Sequence, residues 1–348
     1  MRKERNDKKM KSKKVLALLL AAIMLSTIAA CTTTPSTSPS GSPDAEGTGD
    51  QTSQDDVRLT LATGGTGGTY YPYGGAIALV VDDETGYIKI NAIATGASAE
   101  NIQLVGSAEA HLALVQNDTM DYAYNATNTW TSEAVTNLAT LMTLYPEVCQ
   151  IVVTADSDIF SVADLAGKRV STGDIGSGVE ANAIQILEAY AMTVDDIIQE
   201  SLSFASSADA MKDGVIDAFF VTAGTPNTSI LDLQTSRNLR ILNLEDGIID
   251  ALIEKYPFYA MYTITTAEYS FLEADVNTVA VQATLIASPD LDEQVAYDIV
   301  KAIIEGKDAL VEAHSKGEFI DADYAVQGVS VPFHPGARRY FTEIGVLD

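Results

Sequence analysis

The stretch "TGGTGGTYYPYGG", Thr63–Gly75, follows the alternating, strand-forming run "VRLTLAT" (57–63) and precedes helical spacing that resumes near Gly75–Val81. A strand that runs through a glycine-rich loop into a helix is the unit of an α/β fold, and in many such folds the loop grips a phosphate. Here it does not match that chemistry. A dinucleotide fingerprint read from Gly65 meets Gly67 and then Tyr70 where its third glycine belongs. A Walker loop needs a lysine, and none occurs between Arg58 and Lys89. What remains is small residues with free backbone N–H groups. Gly67, Gly68 and Thr69 let a ligand approach the main chain, and Tyr70 and Tyr71 offer hydroxyls together with apolar walls. The plain alternative is a tight strand-to-helix connection that holds nothing.

The strand, loop, helix order repeats down the chain. "YIKINAIA" (87–94) reads as a strand, "TGASAENIQLVGSAEA" as loop plus helix, and "HLALVQ" (111–116) as a buried strand. Then "KRVSTG" leads into "SGVEANAIQILEAYAM", "SLSFA" into "SADAMKDG", and "IDAFFVTAG" into a helix over Thr225–Leu233. Such alternation implies parallel sheets covered by helices. In the helix read over Gly178–Met192, Val179, Ala183, Ile184, Leu187 and Ala191 share a face, and Ser177 stands where an N-cap belongs. Two apolar runs, "LATLMTLYPEVCQIVV" (138–153) and "VNTVAVQATLIAS" (276–288), exceed ordinary strand length and read as connections passing between two domains. The expected division is 57–147 plus 280–348 for the first lobe and 148–279 for the second, inserted lobe. A cleft between them, at the carboxyl ends of the strands, is the place for a ligand.

Residues 1–30 read as an export signal: eight basic side chains, an apolar core from Val15 to about Leu25, and small residues Ala29 and Ala30 before Cys31. The arrangement matches a bacterial lipoprotein signal, with Ile28 where a leucine is usual, so Cys31 is the expected lipidated residue; the plain alternative is an ordinary cleaved signal with a chance cysteine. Residues 31–56 are rich in Thr, Ser, Pro, Gly and acidic side chains, the composition of a disordered tether. The expected location is the outer face of the bacterial cytoplasmic membrane. Cys149, in the apolar run "EVCQIVV", is the other cysteine and reads as a buried, inert thiol. Without residues 1–30 the chain keeps 21 less eight basic and 48 less two acidic side chains, a formal charge of −33. That charge repels nucleic-acid backbones and anionic lipid.

Three further stretches repeat the geometry of the first. "TGASAEN" places Ser98 and Asn101 at a helix start; "VQND" places Gln116 and Asp118 just past a strand; "GDIGSGVEAN" places Gly176, Ser177 and Gly178 at another helix start. Helix starts carry unpaired N–H groups and a partial positive charge suited to carboxylates. Simple capping is the commoner role of each motif taken alone.

Together these segments resemble a known family. "TGGTGGTYYPYGGAIA", "ATGASAENIQLV", "LALVQNDTMDYAYN", "LYPEVCQIVV", "SVADLAGKRVSTGDIGSGVEANA", "LSFASSADAMKDGVIDAFFVTAGTP" and "HPGARRYFTEIG", in this order, are similar to the TAXI family of solute receptors for TRAP transporters. The similarity runs from about Leu59 to Gly345. It implies a periplasmic-binding-protein fold of type II, in which two α/β lobes are joined by a two-segment hinge around a ligand cleft. It also implies a small organic acid or amino acid as ligand, with glutamate or glutamine a frequent choice in the family, and a sodium-driven permease as partner; the receptor is expected to be a monomer. By position, Gly67–Tyr71, Ser98, Asn101, Gln116, Asp118 and Ser177–Gly178 would line the site, and Thr222, Ala223 and Pro226 would close it from the inserted lobe.

The body's few basic residues offer no evident clamp: Arg169, Arg237 and Arg240 flank strands, and Arg338 and Arg339 sit in the terminal helix. Recognition is therefore expected from backbone N–H, hydroxyl and amide groups, with an amino acid's ammonium met by Asp118 or a tyrosine hydroxyl. Catalysis is not expected and no cofactor or metal is called for. His111, His314 and His334 are scattered, and His334 in "PFHPGA" reads as fixing a turn. Asp213 and Asp217 read as local pairing groups. The rival readings are a lipoprotein receptor of an ABC importer and a sensory ligand-binding protein, which would use the same fold.

Overall fold

The structure, a computed structural model, describes residues 56–348; the expected signal peptide, Cys31 and the expected tether up to residue 55 lie outside the described residues. In chain order the elements are β1 (Val57–Ala62), α1 (Tyr70–Thr85), β2 (Ile88–Ile93), α2 (Ser98–Gly106), β3 (Leu112–Gln116), α3 (Asn117–Asn125) and the long β4 (Ala139–Thr154). There follow β5 (Arg169–Ser171), α4 (Gly178–Ala189), β6 (Ile198–Glu200), α5 (Phe204–Lys212), β7 (Ala218–Ala223), α6 (Thr228–Gln234), β8 (Leu239–Ile241), α7 (Asp246–Lys255) and β9 (Ala260–Ile264). The second long strand β10 (Val276–Ala287) leads into α8 (Glu293–Glu305), α9 (Lys307–Ala313) and α10 (Pro335–Glu343).

The strands form one mixed, curled sheet in the order β2-β1-β3-β10-β4-β7-β5-β6, with β8 on β4 and β9 on β10. β4 and β10 run antiparallel and belong to both lobes. In the first lobe, Ala283–Ala287 of β10 pairs with β3, and β1 is parallel to both β2 and β3. In the second lobe, Val148–Val153 of β4 pairs with β7, and Val276–Ala280 of β10 pairs with β9. Register shifts between Ala283 and Thr284 and between Leu285 and Ile286 interrupt the β4–β10 ladder within the first-lobe part of β10. The sheets expected to be parallel are thus parallel only outside the two crossing strands. A chain that leaves one lobe and returns to it makes its two passages in opposite directions.

The length of the apolar runs follows from burial on both faces. Along β3, Leu112 and Leu114 enter one core of the first lobe while Ala113 and Val115 enter the other. Along β4, Cys149, Ile151 and Val153 face one core of the second lobe, and Val148 and Val152 the opposite one. Burial pushes the Cys149 thiol up to about 12, so it stays protonated, within 3.5 Å of the Thr222 hydroxyl.

Local capping corrects three expected boundaries. Ser203 Oγ accepts from Ser206 N, so "SLSFA" gives way to a helix at Phe204, and the strand lies earlier, at Ile198–Glu200. Asn227 Oδ1 accepts from Ser229 N and Ile230 N, so α6 begins at Thr228 and not at Thr225. α4 stops at Ala189 because Ala191 turns into the left-handed region at φ 55°. His334 fixes a turn: Nδ1 accepts from Gly336 N, and Nε2 lies 3.0 Å from Leu291 O. Arg169 and Asp217 form a two-pronged pair, at 2.6 Å for Nη2 to Oδ1 and 2.9 Å for Nε to Oδ2. No helix of the described residues is long and apolar enough to cross a membrane.

Candidate functional site

A cavity of about 60 Å³ lies between the lobes, tighter than the roughly 300–1,000 Å³ usual for small-molecule sites. On the first lobe its wall is the loop through Gly64, Gly65, Gly67 and Gly68 into the start of α1 at Thr69 and Tyr70. Ala97 and Ser98 at the start of α2, Gln116 at the end of β3 and Glu147 on β4 complete that side. On the second lobe the wall is Asp174 with Ser177, Gly178 and Val179 at the start of α4. Ser203 and Phe204 at the start of α5, and Thr222 and Ala223 at the end of β7, close it. Four helices therefore begin at one small space. Neither α1 nor α2 has a side-chain cap at Thr69 or Ala97, which leaves first-turn N–H groups there for other acceptors. At α4 the Ser177 hydroxyl caps its own helix, accepting from Glu180 N at 3.2 Å.

Two glycines let the lobes approach each other closely. A Cβ on Gly178 would stand 1.9 Å from Gln116 Oε1, and one on Gly67 would stand 2.5 Å from Ser229 Oγ. The carbonyl of Gly67 accepts from Ser229 Oγ at 3.0 Å and from Asn227 Nδ2 at 3.3 Å, so the glycine loop is held from the opposite lobe.

Five residues expected at the site lie off its wall. Asn101 is fully buried and donates to Thr63 O and Leu114 O, pinning the end of β1 to β3. Tyr71 is 38% exposed, on the outward side of α1. Gly176 is exposed at φ 74° and donates to the Glu180 carboxylate, and Pro226 is also exposed. Asp118 is the informative one. It is fully buried behind the cavity, where Oδ1 accepts from Thr119 N and Oδ2 accepts from Asn182 Nδ2 at 2.9 Å. Asn182 belongs to the other lobe and also donates to Tyr259 OH; Tyr259 donates to Gln185, which donates to Tyr122. Asp118 thus ties lobe to lobe. Burial raises its pKa to about 6 against the hydrogen bonds from Thr119 and Asn182.

Glu147 is the group that sequence reasoning passed over. It is 2% exposed, it lies on the cavity wall, and Oε2 accepts from Tyr70 OH at 2.7 Å. Burial raises its pKa to about 8, opposed by the Tyr70 hydrogen bond and reinforced by nearby Asp118. The available signal was a lone charge inside the apolar run "LYPEVCQIVV". Asp174, also on the wall, has its pKa raised by burial and then by Glu100 of the first lobe. None of the lining residues is basic. Lys316, 5% exposed, comes close behind Gly224 but donates Nζ to Thr225 O at 2.5 Å. Arg240 is spent on the carbonyls of Ile159 and Ala155, and no group of metal-ligating side chains occurs among the described residues.

Two α/β lobes on a two-strand hinge with a cavity between them are the architecture of the periplasmic binding proteins. The structure is similar to that of the periplasmic binding protein BugD, with a TM-score of 0.54 at 11% identity over 84% of this chain and 94% of that one. It is also similar to a structure described as a periplasmic transporter, with a TM-score of 0.50 at 15% identity over 84% and 93%. Residues 61–345 match the NMT1-like family, and the chain belongs to it.

Proposed function

We propose that this protein is an extracytoplasmic solute receptor that captures a small carboxylate-bearing solute, an amino acid such as glutamate or glutamine, and delivers it to a membrane permease of the TRAP type. The observation that carries the reading is the cavity itself. It is small, it sits at a two-strand hinge, and four helices begin on its wall with no basic residue among them. Helix starts stabilise a carboxylate by about 0.3–1 kcal/mol each when exposed and up to ~2 kcal/mol when partly buried. In a closed cleft those donors act undiminished, while the acidic surface more than about 8 Å away is screened at physiological salt. Lipidation at Cys31 would hold the receptor at the outer face of the membrane. The TRAP assignment rests on the seven sequence blocks of the TAXI resemblance.

The test is calorimetric titration of protein unfolded and refolded to strip carried-over ligand, against L-glutamate, L-glutamine, neutral amino acids and dicarboxylates. Micromolar or tighter binding of one of them without turnover supports a receptor, and silence from the whole panel removes the amino-acid assignment. Uptake in cells carrying the permease separates the transporter classes. A TRAP system stops when the sodium gradient is collapsed, whereas an ABC importer stops when ATP is depleted.

A further inference from the structure

Glu147 has no cation to face. Around it stand the phenols of Tyr70, Tyr145 and Tyr324, the Cys149 thiol and the Asp118 carboxyl, with Asp174 elsewhere on the cavity wall. All of these are acids, and the Gln116 side chain, which also hydrogen-bonds Glu147, is a neutral amide. No ion pair of the described residues includes Glu147, and Lys316 is turned to the Thr225 carbonyl. A buried carboxylate without a counter-ion is costly, and glutamine would accept the Tyr70 hydrogen bond just as well. The charge is what glutamate adds, and it adds it on the wall of a solute cavity.

We propose that Glu147 is the cation-recognition residue of the site: its carboxylate, oriented by Tyr70, pairs with the ammonium of the ligand while the helix starts hold the ligand carboxylate, so that the cavity selects amino acids over their 2-oxo analogues. This rests on the solute-receptor reading above, and it moves the ammonium partner from Asp118, which is occupied by Asn182, to Glu147. In the empty cavity near neutral pH the Glu147 carboxyl is mostly protonated. When the ammonium arrives, the carboxyl proton leaves to solvent and the ion pair forms, so one proton is released for each ligand bound.

The experiment compares wild-type protein with Glu147→Gln, titrating whichever of L-glutamate, L-glutamine, L-alanine and L-leucine binds tightest, alongside its 2-oxo acid. Titrations at pH 7 in buffers of different ionisation enthalpy should report net proton release by the wild type, the direction set by a carboxyl whose pKa burial has raised. Wild-type affinity should rise close to tenfold from pH 6 to 7 and level off near 8. In E147Q the proton release should vanish and amino-acid affinity should fall about 100-fold, as on removing one partner of a buried charge pair. Affinity of E147Q for the 2-oxo acid should be unchanged or higher. Amino-acid binding by the wild type with no proton released, or an E147Q that binds the amino acid equally well, overturns the role of Glu147 and leaves the receptor standing. A wild type that binds none of the amino acids overturns both. The wild-type proton count needs no variant, so misfolding of E147Q would not obscure the outcome.

Discussion

Tyr70 is the residue on which the chemistry of the cavity turns, because it lines the space and its hydroxyl donates to Glu147 Oε2. That hydrogen bond lowers the Glu147 pKa against the larger effect of burial. Tyr70→Phe removes the donor and keeps the ring. We expect about a tenfold loss of amino-acid affinity, the scale of one hydrogen bond to a charged group, and an upward shift in the pH midpoint of binding, read by titration across pH 6–9. The same group bears on stability. Its pKa is about 8 in the folded protein against 4.5 unperturbed, so the folded state binds the extra proton. The stability of the ligand-free protein should therefore fall as pH rises from about 4.5 to 8, by no more than a few kcal/mol from this residue. Asp118, raised to about 6 from 3.8, acts in the same direction over the lower part of that window. Chemical denaturation across pH checks this, and a flatter upper limb in E147Q assigns that part of the slope to Glu147.

At the scale of elements, α4 brings two separate features to the cleft. Its first residue, Gly178, leaves no room for a Cβ against Gln116 of the first lobe, and Asn182, one turn on, donates to Asp118 across the gap. Gly178→Ala favours the helix by its propensity, yet its Cβ would displace Gln116, which lines the cavity. Unfolding of ligand-free protein should be unchanged or slightly raised while ligand affinity falls at least tenfold. A variant with unchanged affinity would show that the lobes need not approach so closely when ligand is bound. Asn182→Ala removes the donor to a buried carboxylate, and leaving such an acceptor unpaired costs about 1–3 kcal/mol. The loss should appear as a faster ligand off-rate in stopped-flow, because the contact exists only when the lobes meet.

Over the whole molecule, charge and shape act in opposite directions on an anionic ligand. On the proposed reading, a formal charge of −33 without residues 1–30 slows the approach of such a ligand, and the screened, donor-lined cavity retains it. For L-glutamate we expect the association rate to rise with salt between 20 and 200 mM while the dissociation rate changes little. A rate that falls with salt would mean that a positive patch steers the ligand. Contacts across the cleft, from Gly67 to Asn227 and Ser229 and from Asp118 to Asn182, make the structure a closed one. Binding energy that bridges the lobes shifts population toward that form.

Much of this was legible in the sequence, for local reasons. Strand alternation, glycine-rich turns and caps such as Ser177 are written in neighbouring residues, and the two overlong apolar runs read as connections between two domains, which the structure shows to be strands buried on both faces. The positions Gly67–Tyr70, Ser98, Gln116, Ser177, Gly178, Thr222 and Ala223 reach one wall because each ends a strand or starts a helix at the same edge of the sheet. What spacing could not show is which of two polar groups faces the space and which stands behind it. Asp118 and Glu147 are both buried acids on elements that border the cleft. Asp118 turns back to bind Asn182, and Glu147 lies on the cavity wall beside Tyr70, 77 residues earlier in the chain. That choice depends on the register of β4 against β10 and on how far the lobes close. Both are set by long-range packing, which only the tertiary structure decides.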